Sequence, residues 1–172
     1  EDVDQLGVSF DLWLGESDVR DRIEPMVNQL LAEGVAQESR GAIIVDVSRP
    51  EDSQEYPPLI LLKADGAALY GTTDLATIQQ RMMDYQPDLI AYVVDVRQSL
   101  HFEQVFRTAQ MAGIVPPDTG LEHLPFGTMN GPDGKPFKTR DGEVLLLRDF
   151  FAMRSEEHTS ELQSQFRISY AV

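Results

Sequence analysis

Cysteine is absent from this chain of 172 residues and lysine nearly so, at three positions: Lys63, Lys135 and Lys138. Without cysteine there are no disulfides and no thiolate metal sites, a composition compatible with a reducing compartment. Positive charge as a whole is scarce, since 14 Lys and Arg face 29 Asp and Glu for a formal net charge of −15. That balance argues against a free nucleic-acid-binding module, because phosphate contacts need Lys and Arg in number. No run of about 18 apolar residues occurs and the opening EDVDQLG is acidic, so neither a membrane span nor a secretory signal is expected. A soluble, cytoplasmic protein is the expectation. The common phosphate loops G-x-x-x-x-G-K-S/T and G-x-G-x-x-G are missing, and no His/Asp/Glu spacing suggests a protein-bound metal. What remains is 42% hydrophobic and 25% charged. A chain of this size supports one globular core, with roughly 70% of its unfolded surface buried on folding.

Residues 154–172, RSEEHTSELQSQFRISYAV, carry neither a helical nor a strand period. Read back into codons, the run resembles the constant region of a sequencing-library adapter. It is set aside as an artefact expected to be disordered. The abrupt opening without Met suggests that the natural sequence also starts in mid-protein, so a fragment is expected.

Elements follow from periodicity and breakers. Ser17 is placed to cap a helix with Val19, Ile23, Val27, Leu30 and Leu31 along one face, closed by Gly34 and kinked or restarted at Pro25. AIIVDV (42–47) and PLILLK (58–63) read as a strand pair parted by a polar surface loop. After the Asp65-Gly66 turn, a helix is expected from Thr73, with Leu75, Ile78 and Met82 on one face, stopping before Pro87. LIAYVVDV (89–96) is nearly all apolar, as for a strand covered on both faces in a parallel sheet. Ser99 opens a helix with Phe102, Val105, Phe106 and Ala109 inward, ended by Gly113. With LEHLPF (121–126) as the next strand, 89–126 forms one βαβ unit, and the fold class is α/β.

Open parallel sheets bind ligands beyond the carboxyl ends of their strands, against helix N-termini. Three places qualify. In LYGTTDLA, Asp74 falls in the expected first helical turn, whose dipole keeps it ionised, and Tyr70 precedes it on an extended segment. A carboxylate beside an aromatic ring suits a planar cation such as a guanidinium. The residues alone favour the plainer alternative, in which Asp74 merely supports its helix and Tyr70 is core. In DVRQSLH, Gln98 and His101 sit where strand becomes helix and can reach a ligand, although His101 is equally a satisfied first-turn histidine. His123, beside Glu122 within a strand, reads as structural. The third place is GPDGKPFKTRDG (131–142), where turns at Asn130-Gly131 and Asp133-Gly134 leave Lys135, Lys138 and Arg140 on a loop suited to a departing pyrophosphate. Three of the chain's 14 cations within one short loop is more than a solvated hairpin requires.

The order KADGAALYGTTDLA, DLIAYVVDVRQSLHFEQVF, LEHLPFGTMNGPDGKPFKTRDG resembles the second half of the catalytic core of class I arginyl-tRNA synthetases, over roughly residues 10–151. The resemblance implies a partial Rossmann-like nucleotide-binding fold with a parallel sheet and a small inserted α/β-hairpin region. Residues 1–64 would be the inserted, connective part and 65–153 the second half of the nucleotide domain. It also implies that Tyr70, Asp74 and Gln98 hold the arginine substrate and that His101 lies beside ATP. Phe126, Gly127 and Met129, in FGTMN, would recognise adenine through the backbone. Lys135 and Lys138 would lie on the Lys-Met-Ser-Lys-Ser element, Lys138 taking the place of its second lysine, with ATP and Mg2+ as reactants and tRNA(Arg) as partner. The family's His-x-Gly-His element and anticodon-binding domain are absent, and the Lys-Met-Ser-Lys-Ser element is degenerate. The chain alone is therefore expected to be inactive. Two alternatives stay open on the sequence: a non-catalytic module that binds arginine or nucleotide, and a class I synthetase for another amino acid.

Overall fold

In the computed structural model, which describes residues 7–127, helical structure begins just before the expected cap. A 3-10 turn, Glu16–Val19, is fastened by the Asp18 carboxylate, which accepts the Gly15 N–H at 2.6 Å. Ser17 is not the cap. The turn leads straight into α1, Arg20–Ala32, and Pro25 neither ends nor restarts this helix. Proline forfeits one backbone hydrogen bond, and burial of Met26, Val27 and Leu30 immediately after it offsets the loss. Gly34, at φ +73°, closes the helix as the N–H groups of Val35 and Ala36 return to the Leu30 carbonyl.

Three strands follow, β1 (Gln37–Ser39), β2 (Ala42–Val45) and β3 (Leu59–Leu62), paired antiparallel in that order. The first was not expected. Ser39 pairs with Ala42 across Arg40 and Gly41, whose φ values of +52° and +82° satisfy the demand of a type I′ hairpin for two left-handed residues. Arginine in the first of these positions hides the usual Asn-Gly signature.

α2 runs Tyr70–Tyr85, starting three residues before the expected Thr73. Thr72 turns its hydroxyl to the Leu61 carbonyl of β3, and a Cβ at Gly71 would lie 2.6 Å from Leu59 Cδ1. Glycine lets the first turn lie hard against β3. This corrects the expectation for the site residues: Tyr70 is the first helical residue rather than part of an extended segment, and Asp74 lies in the second turn, beyond the unpaired N–H groups that would have held it ionised.

β4 (Leu89–Asp95), α3 (Ser99–Met111) and β5 (Gly120–Phe126) form the expected strand, helix and strand. Gly120 N–H bonds the Asp88 carbonyl at 2.8 Å and His123 Nε2 reaches the Val94 carbonyl at 3.1 Å, so the two paired strands advance together, in parallel. Among the described residues β4 is covered on one face only. Ile90, Tyr92 and Val94 face the core, while Leu89 and Val93 are 50% and 68% exposed. Its inner face meets Phe102 and Phe106 of α3 and Arg81 of α2 through Tyr92; among the described residues nothing covers the other. One core joins α1, β2, β3, β4, α2 and α3 within the compact unit Leu14–Leu124. Residues 7–13 and 125–127 belong to a second unit.

Arg107 is the group that helical periodicity missed. It is 6% exposed, and its guanidinium grips both Asp52 oxygens at 2.6 and 2.8 Å, Glu103 at 2.6 Å and the Val47 carbonyl at 3.0 Å, with the Tyr56 ring 4.1 Å away. Asp52 and Tyr56 come from the polar loop between β2 and β3, which this clamp fastens to α3. The Arg107 hydrogen bonds hold the Asp52 carboxyl below its ordinary value of 3.8, against the opposing effect of burial. A depressed folded value means that the contribution is whole above 3.8 and is lost as pH falls through the folded value. Thermal unfolding followed from about pH 5 to about pH 2.5 is expected to show a steeper acid loss in the native chain than in Asp52→Asn; parallel curves would dissolve the pair. Separately, Leu61→Ala empties a fully buried position on β3 and is expected to cost roughly 2–5 kcal/mol in denaturant unfolding. Leu89→Ala, on the open face of β4, is expected to cost about 1 kcal/mol or less, and equal losses would mean that this face is covered.

Candidate functional site

The end of β4 is built to turn sharply. Asp95 accepts the Arg97 backbone N–H at 2.9 Å and its guanidinium at 2.9 and 3.0 Å, which fixes the 3-10 turn Val96–Gln98. Ser99 donates its hydroxyl to the Val96 carbonyl at 2.6 Å, and α3 starts there. Gln98 thus stands exposed at the N-terminus of α3, and His101 falls in its first turn. On α2, Tyr70 and Asp74 lie four residues apart, one turn along the same face.

The two helices meet at this point. His101 Nε2 lies 2.6 Å from Asp74 Oδ2, with the side chains 26% and 29% exposed. A carboxylate accepts in such a contact, which calls for the imidazole proton to sit on Nε2. Packing holds the imidazole: its ring stands edge-on to Phe102 at 5.1 Å, and Phe102 in turn lies 5.1 Å from the His123 ring. A Cβ at Gly71 would lie 3.7 Å from His101 Cε1, an ordinary contact distance, so the imidazole lies alongside the first turn of α2.

Asp74 also lines a cavity of about 240 Å3 beneath the 3-10 turn at residues 16–19, together with Val19, Thr77, Arg81 and Tyr92. The Tyr92 hydroxyl is buried and has no hydrogen-bond partner among the described residues. Burial pushes it up to about 12, with the Arg81 cation opposing and the Asp74 charge adding to the rise. The Arg81 guanidinium sits 5.3 Å from the Tyr92 ring centroid. Sequence reading passed over both residues. Arg81 was open to discovery, since a residue seven places after Asp74 returns to the same helix face, and Tyr92 is the one polar-tipped side chain within the apolar run of β4. A larger cavity of about 580 Å3 lies at the C-terminal ends of α2 and α3, lined by Met82, Gln86, Ala112 and Ile114 among others; none of the expected site residues is there.

The structure therefore joins Asp74 and His101 directly, with Tyr70 at the start of α2 and Gln98 in the 3-10 turn that leads into α3. Tyr70, 75% exposed, is not a core residue. Phe126 closes β5 at 47% exposure and Gly127 follows it, both in the second unit. Met129, Asn130, Lys135, Lys138 and Arg140 lie outside the described residues, as does the segment 154–172. Among the described residues no three His, Asp or Glu side chains converge on a metal position, and no helix is long and apolar enough to cross a membrane.

Curated relatives include the arginine–tRNA ligase of Agathobacter rectalis, 54% identical over 144 residues that cover 84% of this chain and 24% of that protein. The arginine–tRNA ligase of Alkaliphilus oremlandii is 52% identical over 158 residues, 92% of this chain and 27% of that protein. The chain thus spans about a quarter of the length of these relatives. Among solved structures, arginyl-tRNA synthetase of Thermus thermophilus matches with a TM-score of 0.68 at 20% identity, over 94% of this chain and 33% of that one. The Plasmodium falciparum arginyl-tRNA synthetase matches at 0.64 and 24%, over 73% of this chain and 22% of that one, and both likenesses are of fold. A family profile described as tRNA synthetases class I (R), catalytic domain, matches residues 1–167, a span that takes in part of the tail set aside above. With a parallel strand pair leading into a helix that carries His101 against Asp74, and a profile match over most of its length, the chain belongs to the family of class I arginine-type tRNA synthetase catalytic domains.

Proposed function

We propose that the chain is the second half of the catalytic core of an arginine–tRNA ligase and works within a longer cytoplasmic protein. That protein would condense arginine with ATP to arginyl-adenylate and pass the arginyl group to tRNA(Arg). One observation carries the reading: the contact between Asp74 and His101, which puts the acceptor suited to a guanidinium and the residue expected beside ATP in a single site. Asp74 takes two parallel N–H bonds from the guanidinium, Tyr70 lays its ring against it from one turn away, and Gln98 holds the substrate from the start of α3. Lysine cannot match a two-toothed planar contact, and a neutral amino acid leaves the carboxylate without its partner.

In the first step the arginine carboxylate attacks the α-phosphorus of ATP. A new O–P bond forms, the bond to the bridging oxygen of the β-phosphate breaks, and pyrophosphate leaves. Lys135 and Lys138 neutralise the charge on the leaving group, and the backbone around Phe126, Gly127 and Met129 reads adenine. Mg2+ arrives on the ATP phosphates. A hydroxyl at the 3′ end of the tRNA then attacks the carbonyl carbon of the adenylate and releases AMP. The net charge of −15 suits a segment whose tRNA contacts are made elsewhere in the ligase.

Two measurements test this. Asp74→Asn in the complete ligase is expected to raise KM for arginine roughly 10- to 100-fold while KM for ATP stays within about twofold. Equal rises in both would make Asp74 a structural residue. The 172-residue chain by itself is expected to catalyse no arginine-dependent ATP–pyrophosphate exchange, and turnover by it would overturn the assignment to half a core.

A further inference from the structure

We propose that His101, beyond the place near ATP expected of it, is a positioning residue for Asp74, setting the plane of its carboxylate for the guanidinium. The inference rests on the functional reading above and deepens it. Among the described residues His101 Nε2, at 2.6 Å, is the one hydrogen-bond partner of the Asp74 carboxylate. In the second turn of α2, Asp74 receives no help from the free N–H groups at the helix start. Left alone, a carboxylate rotates broadly about its last bond, whereas a guanidinium fork requires one plane.

His101 supplies that restraint because it is itself held. Its ring stands edge-on to Phe102, which is 3% exposed, and lies beside Gly71 in the first turn of α2. With Oδ2 fixed through one lone pair, Oδ1 and the remaining lone pair of Oδ2 stay open to the substrate. Fixing a polar group before the ligand arrives removes an ordering cost from binding. With Nε2 committed to Asp74, arginine binding is expected to depend on this residue more than ATP binding does.

In the complete ligase, His101→Phe keeps a ring in the slot and removes the donor. It is expected to raise KM for arginine about tenfold or more with KM for ATP within about twofold, and His101→Gln, which restores a donor near the Nε2 position, is expected to recover most of the loss. A rise confined to KM for ATP overturns the proposal, as does failure of glutamine to improve on phenylalanine. A second readout needs no turnover: long-range 15N–1H correlation on the native chain is expected to show a proton held on Nε2, lost as a single form in Asp74→Asn. An Nε2 without a proton in the native chain overturns the contact on which the proposal stands. Should the complete protein support no arginine-dependent exchange at all, the functional reading fails, while the Nε2 proton still decides whether His101 holds Asp74.

Discussion

The packing of α2 against α3 is the constraint from which the rest follows. Leu75 and Ile78 on one helix and Phe102, Val105 and Ala109 on the other are buried in a single apolar cluster, and each of the four larger side chains contributes about 1.5–3 kcal/mol by leaving water. A hydrogen bond between a half-open carboxylate and a half-open imidazole is worth far less than that sum, so the helices place the pair and the pair does not place the helices. β3 fixes the start of α2 through Thr72 and Gly71, and the turn after β4 fixes the start of α3 through Asp95 and Ser99. Both helix starts are therefore anchored to strands, and the polar residues near them inherit that rigidity.

Much of the architecture was legible because apolar spacing is strong in α1, β2, β3 and α3, and because Gly34, Gly113 and Pro87 mark ends that the backbone respects. What escaped has physical causes. β1 is short and polar, joined through an Arg-Gly turn without a familiar signature. The start of α2 was misplaced because its first residues pack on β3, a tertiary contact that no local pattern records. β4 reads as doubly covered because both its faces are apolar, and sequence does not say which face finds a neighbour. Arg107 looks like a surface charge until the loop carrying Asp52 folds over it.

The site divides in the same way. Tyr70, Asp74, Gln98 and His101 are the candidates of a rule about where ligands meet parallel strands, and that rule needs only element order. Their mutual arrangement was not legible. Asp74 and His101 are 27 residues apart, so their contact depends on how two helices lie side by side. The expected dipole argument for Asp74 failed with the helix start, and its hydrogen-bond partner comes instead from a neighbouring helix. Tyr92 and Arg81 were overlooked for the opposite reason, since each fits a bland reading as strand filler or surface cation.

The clamp on the loop between β2 and β3 has a consequence for how the chain tolerates insertion. Surface connections ordinarily accept extra residues at little thermodynamic expense. Here Val47 and Asp52 both engage Arg107, so lengthening the segment between them would slide the carboxylate off its partner and strand a guanidinium in a nearly dry site. Tyr56 is pinned by the same guanidinium. Length variation is thereby confined to the exposed stretch Ser53, Gln54 and Glu55, a gap of three residues in a connection that looks from its composition as if any part of it could grow.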